Sequence, residues 1–220
     1  MTPTVVLPNP TPVGADQFLR KFLESYHECR RTFNSEQWNS VWGGPWWNGF
    51  MMWKTGQPEP LKKSVLVLTA EKLDLCYADG EPLTLDVVFH KSRGLDFRRP
   101  HDERFPPIVV LEHENNRVTV WREVQKLLSV RSPLKVLITY TQGAEPPIPL
   151  EEGQRRLSQL RDLVREHWEH AATLTGREVG AEYLFIVGHE GQERIMWWYA
   201  MSFGSAQSPS EVDFAQTYLG

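Results

Sequence analysis

The chain has 220 residues, 40% of them hydrophobic and 24% charged, which is the make-up of a soluble globular protein with one sizeable domain. Its formal net charge is −4, so no overall basic character points to nucleic acid, although a local patch would suffice. No apolar run approaches the ~20 residues of a membrane span, and Cys29 and Cys76 are too few for a disulfide framework or a zinc site. The N-terminus lacks a basic stretch followed by an apolar run. No signal peptide is expected, and a cytoplasmic protein with two reduced thiols is.

Residues 1–15 are rich in Pro, Thr and Gly and read as an extended arm, followed by a single α/β domain over 16–203 and a loose Ser-rich tail over 204–220. Asp16 is placed to cap a helix running to about Phe33, with Phe18, Leu19, Phe22, Leu23 and Tyr26 on one face. Trp38, Trp42, Trp46, Trp47 and Trp53 crowd the next segment, with Phe50, Met51 and Met52. No basic residue lies among them, so they read as core packing, or as the surface of a homodimer or protein partner, ahead of base stacking. Gln57-Pro58-Glu59-Pro60 is a linker. Residues 62–73 carry both patterns: Val65 to Leu68 suit a strand, while Leu66, Ala70 and Leu73 suit a helix, which is preferred.

Leu75-Cys76-Tyr77 is a short strand, and Ala78-Asp79-Gly80 turns the chain. A strand over 83–90 follows, with Asp86 in its first half. Residues 91–106 form a charged loop in which Lys91, Arg93, Arg98, Arg99 and Arg104 outnumber Asp96, Asp102 and Glu103. This one locally basic stretch is either a solvated loop or a phosphate-contacting surface. After the strand over 107–115, Asn116 is placed to cap a helix over 117–130, and Pro133 precedes a strand over 134–141. A Pro-rich spacer leads to a long helix over 151–174, whose buried stripe is Leu157, Leu160, Leu163, Val164, Trp168 and Ala171. Residues 181–188 and 194–203 form a hairpin around His189-Glu190-Gly191-Gln192.

The informative stretch is Pro107-Ile108-Val109-Val110-Leu111-Glu112-His113-Glu114-Asn115. Four consecutive apolar residues read as a strand buried on both faces. Glu112 and Glu114 lie two apart at its end and so share a face. Two like charges beside a core are costly unless a cation or a proton compensates, and a divalent metal is the simplest compensation. An antiparallel meander would set the early Asp86 of one strand against the late glutamates of the next, so the three carboxylates should converge. Oxygen-only ligands suit Mg2+ or Mn2+ rather than zinc. The helix that follows is a crossover, so the strand over 134–141 should run parallel to the Glu112 strand. His90 shares a face with Asp86 but stands about 13 Å along the strand, and His113 points to the face opposite the glutamates. Both read as packed histidines.

With this element order the chain resembles the PD-(D/E)XK phosphodiesterase superfamily of nucleases, over residues 62–140. The resemblance implies a restriction-endonuclease-like core: a mixed sheet flanked by helices, here with an N-terminal Trp-rich helical extension and a C-terminal helix plus hairpin. It implies Asp86, Glu112 and Glu114 as metal-binding and catalytic residues, Mg2+ or Mn2+ as cofactor, and nucleic acid, DNA ahead of RNA, as substrate. The family's motif lysine is Glu114 in this sequence. That lysine helps orient the nucleophile and offsets phosphate charge, which an acid cannot do. Lys126 is expected to point to solvent, opposite the helical face made by Val120, Trp121, Val124, Leu127 and Leu128, and Lys135 to sit at the end of its strand far from the carboxylates. Glu123 and Gln125 flank that helical face as auxiliary ligands or water-positioning groups, and a second metal could supply the missing charge. The alternative is a nuclease fold retained without catalysis, as a nucleic-acid-binding or protein-assembly module.

Overall fold

Six runs rich in β-branched and aromatic residues pair into one mixed sheet in this computed structural model, which describes residues 12–41, 46–52, 64–79, 85–91, 107–115, 119–141, 155–160, 162, 181–190 and 196–204. The strands are β1 (Cys76–Asp79), β2 (Val87–His90), β3 (Val109–Glu114), β4 (Leu134–Thr141), β5 (Glu182–Glu190) and β6 (Met196–Gly204). They lie side by side in chain order. β1, β2 and β3 form an antiparallel meander, β3, β4 and β5 run parallel, and β6 returns antiparallel to β5. The helices are α1 (Ala15–Arg31), α2 (Ser35–Val41), α3 (Trp46–Met51), α4 (Val65–Lys72) and α5 (Val120–Ser129). The meander, the crossover and the parallel β3–β4 pair are as the sequence implies, and the ambiguous stretch before β1 is helical.

Strand alternation sends side chains to two cores. Val109, Leu111, Val136, Ile138, Leu184 and Ile186 face α1, α3 and α4. Val88, Val110, Leu137, Phe185 and Val187 face α5 and the helical residues 155–160. Helices thus cover both faces, which is why the central strands read as continuous apolar runs. Of the long helix expected over 151–174, residues 155–160 and 162 are helical and the rest lies outside the described residues.

Several boundaries differ from the sequence reading. Asp79 belongs to β1 rather than to a turn, and β5 continues through His189 and Glu190. Asp86 stands one residue before β2, not within it. α5 starts at Val120 with Thr119 at its N-cap, later than a helix capped by Asn116, and Asn116 itself lies outside the described residues. Asp16 does not cap α1: the N-cap is Gly14, which has no side chain to offer. Instead the Glu182 carboxylate of β5 accepts from the Ala15 amide at 2.8 Å. A charged acceptor at the first turn satisfies an orphan N–H and complements the helix dipole. Glu182→Ala is expected to cost about 1 kcal/mol, read as a lower urea midpoint; an unchanged midpoint would make this contact dispensable.

The described tryptophans of the rich segment pack inward. Trp38 and Trp47 are buried, with Phe50 against both at 5.1 and 5.4 Å between centroids. Trp47 in turn meets Tyr140 of β4 at 5.7 Å. This is the core-packing reading for Trp38 and Trp47. The Tyr140 ring crosses β5 at Gly188, where an added Cβ would come within 2.7 Å of it. No side chain fits there, so glycine permits the close approach. No helix among the described residues is long and apolar enough to cross a membrane.

Candidate functional site

The pairing of β2 with β3 sets the site. Val87 stands opposite Leu111, so Asp86, one residue earlier, falls beside Glu112, one residue later. Glu112 is fully buried, at 0% exposure, on the face covered by α5. Neither of its oxygens has a hydrogen-bond partner of good geometry. Asp86 is half-buried, and its Oδ2 accepts from the His113 amide at 2.9 Å. The same His113 sends its ring to the opposite face, where Nε2 lies 2.7 Å from the Tyr140 hydroxyl. The β3 backbone that holds Asp86 is therefore anchored from behind by the aromatic layer.

α5 brings two more charges. Lys126 Nζ lies 2.6 Å from Glu123 Oε2 and 3.5 Å from Glu112 Oε1. This overturns the expectation that Lys126 points to solvent. Its Cβ is off the buried face of α5, but a four-carbon stem lets the ammonium reach back to the acids. Trp121, expected on the buried face, is 39% exposed with the Arg122 guanidinium over its ring at 5.3 Å.

The electrostatics follow from burial. Burial raises the Glu112 carboxyl far above the usual carboxylate range; the charges of Asp86 and Glu123 add to this and Lys126 partly offsets it. Asp86 is also raised, by burial first, against the donation from the His113 amide and the neighbouring Glu112 carboxyl. Burial pulls Lys126 down, but its hydrogen bond to Glu123 and the charges of Glu112, Glu123 and Asp86 outweigh that, so it is raised overall and held as an ammonium.

The remaining candidates divide. Glu114 shares the Glu112 face by strand period, and its Oε2 accepts from Thr119 Oγ1 at 2.8 Å, at the start of α5. Gln125 is exposed and lies roughly 160° around the helix from Glu123, away from the cluster. Lys135 pairs with Val110, two positions short of Glu112 in register, and is buried with its Nζ 3.3 Å from the Tyr183 hydroxyl. His90 is buried on the far half of β2. Lys91 is exposed at the end of β2 away from Asp86, and Arg93, Arg98, Arg99 and Arg104 lie outside the described residues. Thr139 was not singled out from the sequence. It stands opposite Glu114, its Oγ1 fully buried and without a hydrogen-bond partner. Only the parallel register reveals it.

Asp86, Glu112 and Glu123 thus gather around Lys126 at the carboxyl end of a central parallel strand, where α/β sheets commonly bind ligands. The oxygen-only donors and the orphaned Glu112 carboxylate fit a hard divalent cation in type. Among the described residues, no three His, Cys, Asp or Glu side chains form a ready-made metal-holding group. No family model matches the chain, and no curated protein matches it.

Proposed function

We propose that this protein is a divalent-metal-dependent phosphodiesterase on a restriction-endonuclease-like core, hydrolysing nucleic acid, DNA ahead of RNA. The observation that carries the reading is the buried, orphaned Glu112 beside Asp86, with an ammonium in the same cluster. Asp86 and Glu112 would hold Mg2+ or Mn2+, with Glu114 or Glu123 as the further acid. When bound, such an ion supplies Lewis acidity and an activated water for in-line displacement. The chain's own part is to exclude solvent around Glu112, to fix Asp86 through the His113 amide, and to present a cation to the phosphate. Lys126 takes that last role, which Glu114 cannot fill, and no second metal is then required. The position of the lysine in sequence matters less than its charge at the site.

A second reading has its own support. Lys126 already contacts Glu123 and Glu112, as it would in a structural ion cluster of a binding or assembly module. One experiment separates them: purified full chain incubated with single- and double-stranded DNA and RNA, with Mg2+, with Mn2+ and with EDTA. Metal-dependent cleavage of any of the four supports the enzyme. No cleavage of any of them under either metal leaves the module.

A further inference from the structure

Lys126 sets a positive charge against two of the clustered acids. Its Nζ contacts both Glu123 and Glu112 while its side chain stays 37% exposed, so it has a path to solvent. The Glu112 side chain, 1% exposed, has none. Both Glu112 oxygens are buried without a hydrogen bond of good geometry, and Oε1 lies against the lysine. A dication on Glu112 would place two positive charges beside a third, and the mobile member of that set is the lysine stem.

We propose that the Lys126 ammonium is a tethered counter-ion that a divalent metal must displace, so that loading the metal and releasing the lysine are one event. The inference rests on the metal-site reading above and adds its regulation. In the metal-free protein the ammonium serves as the cluster's cation, against Glu123 and Glu112. On loading, the metal takes over that task, and the freed ammonium is presented to a phosphate oxygen at the mouth of the site. Each ion therefore limits the other at the carboxylates, while metal and phosphate favour one another through the lysine, reciprocally.

The test is calorimetric titration of Mn2+ into the full-length wild type, Lys126→Met and Lys126→Arg, with melting curves in EDTA and in Mn2+. Methionine keeps the bulk of the stem and removes the charge; arginine keeps the charge. Lys126→Met is expected to bind Mn2+ about tenfold more tightly than wild type, to melt lower in EDTA, and to gain more from Mn2+. Lys126→Arg should bind no more tightly than wild type. Binding by the wild type that Lys126→Met leaves equal or weaker overturns the displacement alone. Absence of binding by both wild type and Lys126→Met overturns the metal site and the displacement with it. Binding by Lys126→Met alone would be the strong form of the proposal, a lysine that shuts the site. Should Lys126→Met not fold in EDTA, the same comparison is made by purifying all three in Mn2+ and withdrawing the metal with graded chelator, where tighter retention by the methionine variant is the expected result and equal or faster loss overturns it.

Discussion

Glu112→Gln is expected to stabilise the metal-free protein by about 1–4 kcal/mol at pH 8, as proton linkage at a raised buried carboxyl requires, and to flatten the fall of its stability with pH. Glutamine has nearly the same shape and cannot ionise. Burial, then the charges of Asp86 and Glu123, push the Glu112 carboxyl up from an ordinary 4.5 to about 10. Between those values the folded chain keeps a proton that the unfolded chain has released. Stability therefore falls as pH rises across this window: the full contribution is present below about 4.5 and is lost by about 10. Asp86, raised from 3.8, acts with the same sign. His90, lowered by burial, acts oppositely, since an unfolded histidine takes up the proton that the folded one refuses. The quantity to measure is thus the difference between variant and wild type in urea unfolding at several pH values in EDTA. That difference should widen from pH 5 to pH 8. A constant difference would mean that Glu112 is already ionised in the fold, held by Lys126.

What the sequence revealed of this site depended on the distance over which each residue is positioned. Two-residue strand period placed Glu112 and Glu114 on one face, and the meander placed Asp86 against them; both are local rules of backbone geometry. The same rules gave the antiparallel meander of β1, β2 and β3 and the parallel β3–β4 pair, with α5 as the crossover. The Glu182 cap of α1 joins residues 167 apart, and no local pattern encodes it. Lys126 was misplaced for another reason. Helical periodicity fixes the direction of a Cβ, whereas an ammonium four carbons away goes where charge draws it. Its i, i+3 spacing from Glu123 was the readable signal, since such pairs attract along a helix. Trp121 borders the helical face of Val120, Val124, Leu127 and Leu128, yet it is exposed, and a single exposed aromatic is ordinary on a protein surface. Thr139 waited on the β3–β4 register, which the sequence does not fix to the residue.

On the phosphodiesterase reading proposed above, Asp86→Asn should lower metal-dependent cleavage by about 10²–10³-fold, on the scale of losing one electrostatic contribution to the transition state, with the fold retained. The two halves of that expectation come from different atoms. Folding uses Asp86 as an acceptor, through Oδ2 and the His113 amide at 2.9 Å, and the asparagine carbonyl can accept the same bond. The charge itself does not help the fold: burial raises Asp86, so the charged form is the disfavoured one in the metal-free protein. A bound dication would invert this, because it attracts the carboxylate and has only a dipole to attract in asparagine. The lysine contact cannot compensate, since Lys126 lies against Glu112 and Glu123. The measurement is turnover of a labelled DNA duplex in Mg2+, with urea unfolding of the same preparation in EDTA. A variant with a wild-type unfolding midpoint and a large loss of cleavage assigns the charge of Asp86 to chemistry. A folded variant that cleaves at the wild-type rate removes Asp86 from the site, and leaves its hydrogen bond to His113 as a structural tie between β2 and β3.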